Sequence, residues 1–305
     1  MPTTPAAGSI VIAHDSSPHS AAALSWGLEQ ASVEDRPVDV VHLLSVTEAQ
    51  QAAWLGASGA GLQALDDLRG QAVAHLEGLA VLARAQYPSL RIRTHVVERE
   101  ARHGLIDLSA SAHLMVLGSH GRGPLTSPLL GSVSAAVTRR AECPVVVVRP
   151  PRPASDTAAP AGSGVLVGVD GTAESVPVLE FAFAQAALRG HHLTAVHCVM
   201  DLIAAYVGDA GFPTEEEMLR ARAVLAESVA GLAEKYPDVA VSRRLNRGLL
   251  DQLVTDADKA WDLVVVGGRR HGALHRLLVG STTIAVLERA HCPVAVVPEG
   301  RTPTG

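Results

Sequence analysis

A glycine-rich turn of the kind that can cradle an anion is written twice in this chain. Residues 114–133 read LMVLGSHGRGPLTSPLLGSV, and residues 263–282 read LVVVGGRRHGALHRLLVGST. In the first copy Gly118, Gly121, Gly131 and Ser132 form a Gly-x2-Gly-x9-Gly-Ser pattern. In the second, Gly267, Gly280 and Ser281 keep the spacing, and Arg270 takes the place of the middle glycine. Each pattern follows an apolar run of strand length and leads into a helical stretch. Gly118 and Gly121 are expected to take backbone angles closed to other residues and to let a ligand approach. Ser132 is expected to be a helix N-cap, with free N–H groups beyond it facing a phosphate. Residues 122–130 would then wrap a polyphosphate.

Two side chains join this turn. Asp15 ends the first apolar run and falls on the same edge of the sheet, where a carboxylate could bond a ribose hydroxyl or help hold a metal. His120, inside the loop, could donate to a phosphate. Other histidines carry less. His191-His192 and the His271, His275 pair lack the glutamate of a zinc-protease helix, so solvated loop histidines are expected there. Cys143, Cys198 and Cys292 are too few and too scattered for a disulfide framework. Cys143 and Cys292 precede prolines at strand starts and read as buried structural thiols.

The elements that must position these residues also repeat. Residues 9–31, SIVIAHDSSPHSAAALSWGLEQA, match 164–186, GVLVGVDGTAESVPVLEFAFAQA. Asp15 and Asp170 correspond, as do His42 and His197, at 155 residues, while the glycine turns and the Cys-Pro pairs correspond at 149. A repeat of this length is a whole domain rather than a solenoid unit. The expected division is 1–150, a linker at 151–163 rich in proline, alanine and serine, and 164–298. In the first copy, strands are expected at 9–14, 38–46, 91–97 and 114–118, with a last one in PVVVV. Helices are expected near 18–33, 62–86, 103–112 and 132–141. Short apolar runs alternating with helices read as parallel βαβ units. The fold class is α/β: two tandem doubly wound, Rossmann-like domains of five strands each, with ligands at the carboxyl ends of the strands.

Composition agrees. Of 305 residues, 48% are hydrophobic and 18% charged, enough apolar surface for two cores. A formal charge of −6 argues against a nucleic-acid binder. Lys235 and Lys259 are the only lysines and neither lies in a Gly-x4-Gly-Lys loop, which excludes a P-loop NTPase. No apolar run is long enough for a membrane span. Sparse cysteines fit a cytoplasmic location.

Taken together, Asp15, His42, the Gly-x2-Gly-x9-Gly-Ser loop and the closing Cys-Pro-Val strand resemble the universal stress protein family, over nearly the whole chain. That resemblance implies strand order 3-2-1-4-5 in each domain, dimer-like packing of paired domains, and ATP as the ligand; Mg²⁺ could arrive with the phosphates, and the edges offered by the closing PVVVV and PVAVV strands suggest a homodimer. The resemblance also implies a regulatory role in stress or dormancy, through a protein partner that the sequence leaves unnamed. It places Asp15 and the Ala13 backbone near the nucleoside and metal, and Leu43 backbone groups at the adenine. Gly118, His120 and Gly121 meet the ribose and phosphates, and Gly131, Ser132 and Val133 hold phosphates at the helix start. The second-copy positions are Gly168, Asp170, Cys198, Gly267, Arg269, Arg270, Gly280, Ser281 and Thr282. Arg270 would cost about 1–2 kcal/mol if its position needs left-handed angles. It either fills the pocket or, with Arg269, pairs with phosphates; weakened or altered binding is the expectation. The alternative function is a slow ATP-hydrolysing or nucleotidyl-transferring enzyme of the same class.

Overall fold

The computed structural model describes residues 5–45, 60–121, 129–150, 162–199, 214–255, 260–268 and 279–298. Side chains of 60–65, Val199, Arg247 and 279–281 are outside that description. So are Arg269, Arg270, His271 and His275, the loop stretch 122–128 and the linker stretch 151–161. The chain divides into two compact units, Met1–Pro151 and Arg152–Gly305.

The first unit runs β1 (Ile10–Ala13), α1 (Pro18–Glu34), β2 (Val38–Leu44), α2 (Ala60–Gln86), β3 (Ile92–Glu98), α3 (Ala101–Ser109), β4 (Leu114–Gly118), α4 (Ser132–Arg140) and β5 (Val145–Val148). Its strands lie in the order β3-β2-β1-β4-β5, and every pairing is parallel. The second unit runs β6 (Val165–Val169), α5 (Val176–Arg189), β7 (Leu193–Val199), α6 (Glu215–Lys235), β8 (Val241–Arg247), α7 (Leu250–Val254), β9 (Leu263–Gly268), α8 (Val279–Arg289) and β10 (Val294–Pro298). Its order, β8-β7-β6-β9-β10, is again all parallel. Helices cover both faces of such a sheet, so its central strands are apolar throughout. Ile10, Val11, Ile12, Leu114, Met115 and Val116 are fully buried, as are Val165, Leu166 and Val167.

Local signals end the helices. Ser17 caps α1 by accepting from the Ser20 N–H, with Pro18 at the first turn. Asp35 closes α1 in the left-handed region at φ 51, where a short polar side chain is tolerated. Gly190 does the same for α5 at φ 62. Thr214 and Glu217 form a reciprocal capping box on α6. Helix α3 starts at Ala101 rather than near 103, because the Glu100 carboxylate accepts from the His103 N–H and caps it.

One buried acid ties the outer strands together at the end away from the glycine turn. Asp39 has no exposed surface. It accepts from Arg93 Nε and Nη2 at 2.8 and 2.9 Å, lies 2.7 Å from His95 Nε2, and accepts from the Ala6 N–H at 3.0 Å. Burial by itself would raise its carboxyl, but the bonds from His95, Ser9, Arg93 and Ala6 outweigh it and hold the group at about 2.

Candidate functional site

The site is built on the turn after β1. Asp15 Oδ1 accepts from the Ser17 N–H at 3.0 Å, an Asx turn that fixes the carboxylate just ahead of α1. Asp170 does the same in the second unit, accepting from the Thr172 N–H and hydroxyl at 2.9 and 2.8 Å. Between acid and cap, Ser16 is held in the left-handed region at φ 67. Its counterpart Gly171 has φ 80, so the first unit carries a side chain where the second has the residue suited to that backbone. Both turns are braced from the second strand. His42 Nδ1 lies 2.7 Å from the His14 carbonyl, and His197 Nδ1 lies 2.8 Å from the Val169 carbonyl.

The glycine turn follows β4, and its glycines serve a different purpose from the expected one. Neither Gly118 nor Gly121 has a positive φ. Both are needed for close approach. A Cβ on Gly118 would stand 2.7 Å from the His19 carbonyl carbon, and one on Gly121 would stand 2.8 Å from Asp15 Oδ2. The left-handed penalty anticipated for Arg270 therefore loses its basis in the first unit. Ser132 is not the N-cap either. Gly131 fills that position with φ −62 and ψ 146 and offers no side-chain cap, so Ser132 becomes the first helical residue. A Cβ on Gly131 would press on the Ser119 carbonyl at 3.0 Å, which explains why the cap is bare. The hydroxyl that stitches helix to turn is Ser134, donating to the Gly118 carbonyl at 2.7 Å. Thr283 repeats this bond to the Gly267 carbonyl at 3.1 Å. Helix α8 begins at Val279, so Gly280, Ser281 and Thr282 lie within it.

These pieces enclose a cavity of about 320 Å³ in the first unit. All nine first-copy residues singled out from the sequence line it: Ala13, Asp15, Leu43, Gly118, His120, Gly121, Gly131, Ser132 and Val133. One side is apolar, with Val41, Leu43, Ala101, Leu105 and Leu117; the other holds the uncapped start of α4. The sequence reading missed Ala101 and Leu105, the i, i+4 pair of α3, because nothing in nine residues of helix says which face meets the sheet. It also missed Ser134, although the matching Thr283 was available in the repeat.

The rim of the cavity is rich in imidazole. His19 Nδ1 lies 2.9 Å from Ser119 Oγ, which lies 3.2 Å from His120 Nδ1, and the two rings are 5.0 Å apart. Burial lowers the His19 pKa, helped by His120 and Arg149 and opposed by Asp15. Burial likewise lowers that of His120, helped by Arg149 and opposed by the Leu129 backbone. Both rings thus favour the neutral form, in which each carries one donor and one acceptor.

In the second unit the matching residues are rearranged. The strands align without gaps from Ile92 with Val241 to Leu114 with Leu263. Ala101, Arg102 and Gly104 on α3 therefore map onto Leu250, Asp251 and Leu253 on α7. On the strands, Ala13 maps onto Gly168 and Leu43 onto Cys198. Bulk has moved from strand to helix. A Cβ on Gly104 would collide with Leu43 Cδ2, whereas a Cβ on Gly168 would stand 2.6 Å from Leu250 Cδ2. Leu250 is buried and covers the end of β6, where Ala101 leaves the end of β1 open. Val224 closes on Gly171 from α6 in the same way. Of the second-copy candidates, Gly168 and Asp170 hold the first-strand turn, Cys198 lies on β7 and Gly267 ends β9.

No group of three or more His, Cys, Asp or Glu among the described residues could hold a metal ion. His192 Nε2 lies 2.8 Å from Ser242 Oγ, and His191 Nδ1 lies 3.7 Å from Asp262. Burial pushes the Cys143 and Cys292 thiols up to about 12, and raises that of Cys198. Among the described residues no helix is long and apolar enough to cross a membrane.

Comparison with known proteins accords with this architecture. The universal stress protein family matches residues 7–149 and again 164–298. A universal stress protein of Mycobacterium tuberculosis is 35% identical over 290 residues, covering 94% of this chain and 96% of its own. One from Mycolicibacterium smegmatis is 33% identical over 292 residues, covering 94% and 96%. The crystal structure of a universal stress protein from Archaeoglobus fulgidus shares the fold, with a TM-score of 0.68 at 17% identity, over 96% of this chain and 98% of that one. The chain belongs to the universal stress protein family, as a member with two such domains in tandem.

Proposed function

We propose that the first unit holds ATP, with Mg²⁺ on its phosphates, and that nucleotide occupancy is a regulatory state passed to a protein partner. The observation that carries this reading is the two-sided cavity. Its apolar wall of Val41, Leu43, Leu105 and Leu117 suits a flat base, and a volume of about 320 Å³ is within the range of small-molecule sites. Its other side holds the start of α4, where the N-cap Gly131 has no side chain to offer the first N–H groups, the standard partner of a phosphate. Asp15 lines the same cavity, and a carboxylate there suits a ribose hydroxyl or a phosphate-bound cation.

Equilibrium binding of ATP to the full chain tests the reading. Asp15→Glu lengthens the carboxylate into the cavity and is expected to lower ATP affinity about tenfold or more, the scale of a charged hydrogen bond misplaced. A full chain that binds no ATP at millimolar concentration, with or without Mg²⁺, would overturn it.

A further inference from the structure

We propose that Arg102 is the cation that reads the terminal phosphates in the first unit, a specificity residue that separates ATP from adenosine. The proposal rests on the nucleotide reading of the same cavity. Arg102 is the second residue of α3, directly after the cavity-lining Ala101. Its Nη2 donates to Ser132 Oγ at 3.3 Å. Ser132 is the first residue of α4 and also lines the cavity, so the guanidinium lies at the N-terminal end of α4, where the first-turn N–H groups are. A planar guanidinium beside helix N–H groups supplies paired donors and full charge to a phosphate.

The contacts that now hold Arg102 are weak enough to yield. Arg102 also pairs with Glu100, with Nε 3.8 Å from Oε1, and the two side chains are 52% and 45% exposed. An exposed pair at that distance contributes little and leaves the side chain free to turn. Glu100 is itself engaged in capping α3 through the His103 N–H.

The second unit supplies an internal comparison. Asp251 stands at the corresponding position on α7. It is buried and accepts from Arg289 Nη1 at 2.6 Å. The exchange replaces a rim cation with a carboxylate committed elsewhere, so the charge that would favour phosphates belongs to the first unit alone at this position.

The test compares ATP, AMP and adenosine binding to the full chain and to Arg102→Ala and Arg102→Lys. Alanine is expected to weaken ATP about tenfold or more while adenosine changes less than about twofold, with AMP between them. Lysine keeps the charge and should recover part of the loss. ATP affinity of the wild type should also fall more steeply with salt than that of the alanine variant. Unchanged ATP affinity in Arg102→Ala, or equal losses for ATP and adenosine, would overturn the assignment while leaving the site a nucleotide site. Failure of the wild type to bind any of the three ligands would instead overturn the nucleotide reading on which it rests.

Discussion

His42 Nδ1 bonds the carbonyl of His14, one residue before Asp15, at 2.7 Å. The side chain of the second strand thereby satisfies the end of the first, and sets where the Asx turn begins. The same bond from His197 to Val169 in the second unit shows that it serves the turn rather than any one ligand. His42→Ala would leave a buried carbonyl without this donor, at about 1–3 kcal/mol. The expected result is a lower thermal midpoint together with weaker ATP binding, because Asp15 shifts. His42→Asn, which keeps a donor, should recover part of both. Full binding in the alanine variant would show that the turn holds without the histidine.

Gly118 and Gly121 are predicted to respond differently to the same added methyl. At Gly118 the methyl meets the His19 backbone at 2.7 Å, which cannot move without moving α1. Gly118→Ala should therefore cost about 1–3 kcal/mol of stability, the range for overpacking. At Gly121 it meets a side-chain atom and not backbone, Asp15 Oδ2 at 2.8 Å. Gly121→Ala should leave the thermal midpoint nearly unchanged and still weaken ATP binding. Denaturation curves alongside titrations of both variants separate the two effects; equal stability losses would sink the distinction.

The repeat and the parallel α/β order are legible as local patterns, and so are Asp15, Gly118, His120, Gly121, Gly131 and Ser132 among the residues that line the cavity, while Ala13, Leu43 and Val133 come only through the family resemblance. Asp15 ends an apolar run, and Gly131 stands before a helical one. What the glycines do was not legible. The same letter serves an unusual φ or a close approach, and only the positions of His19 and Asp15 decide between them. Nor is the contact of Leu250 with Gly168 in the second unit legible in the sequence. The closing contact joins Leu250 to Gly168, two residues on elements far apart in the chain and unremarkable alone. Their meaning lies in the paired exchange with Ala101 and Ala13, which needs the register of α3 against the sheet.

That exchange makes Ala101→Leu a direct test of why the units differ. A leucine there copies Leu250 and would project into the apolar side of the first cavity. Since Ala13 keeps a Cβ where the second unit has Gly168, the fit is tight and a loss of up to about 3 kcal/mol is expected. The double change Ala101→Leu with Ala13→Gly should restore stability but not ATP binding. Undiminished ATP affinity in the double variant would show that the base does not use this wall.

The imidazoles predict a pH dependence of binding. His120 lies on the cavity with its pKa held below the ordinary 6.5 by burial and by Arg149, while Asp15 acts on the neighbouring His19 in the opposite sense. Phosphates placed beside His120 would raise its pKa, so binding takes up a proton. ATP affinity is therefore expected to rise as pH falls from about 7.5 towards 6, until protonation of the nucleotide itself opposes it. His120→Gln should flatten the rise. A slope identical in wild type and variant would place His120 away from the phosphates.

Asp39 makes the corresponding prediction for the fold. Its folded pKa of about 2 lies below the ordinary 3.8, so the carboxylate contributes stability that is complete above the ordinary value. As pH falls from about 4 through 2, the group must protonate and that contribution is lost, amounting to about 2 kcal/mol. Asp39→Asn keeps the shape but removes the charge that Arg93 and His95 face in the folded state. Chemical denaturation at pH 7 should show the variant less stable by a similar amount, with the gap closing as pH approaches 2. Because Asp39 also holds the Ala6 N–H, the variant should exchange amide protons faster near residues 6–9. A gap that stays constant with pH would mean that packing, and not the carboxylate charge, accounts for the contribution of Asp39.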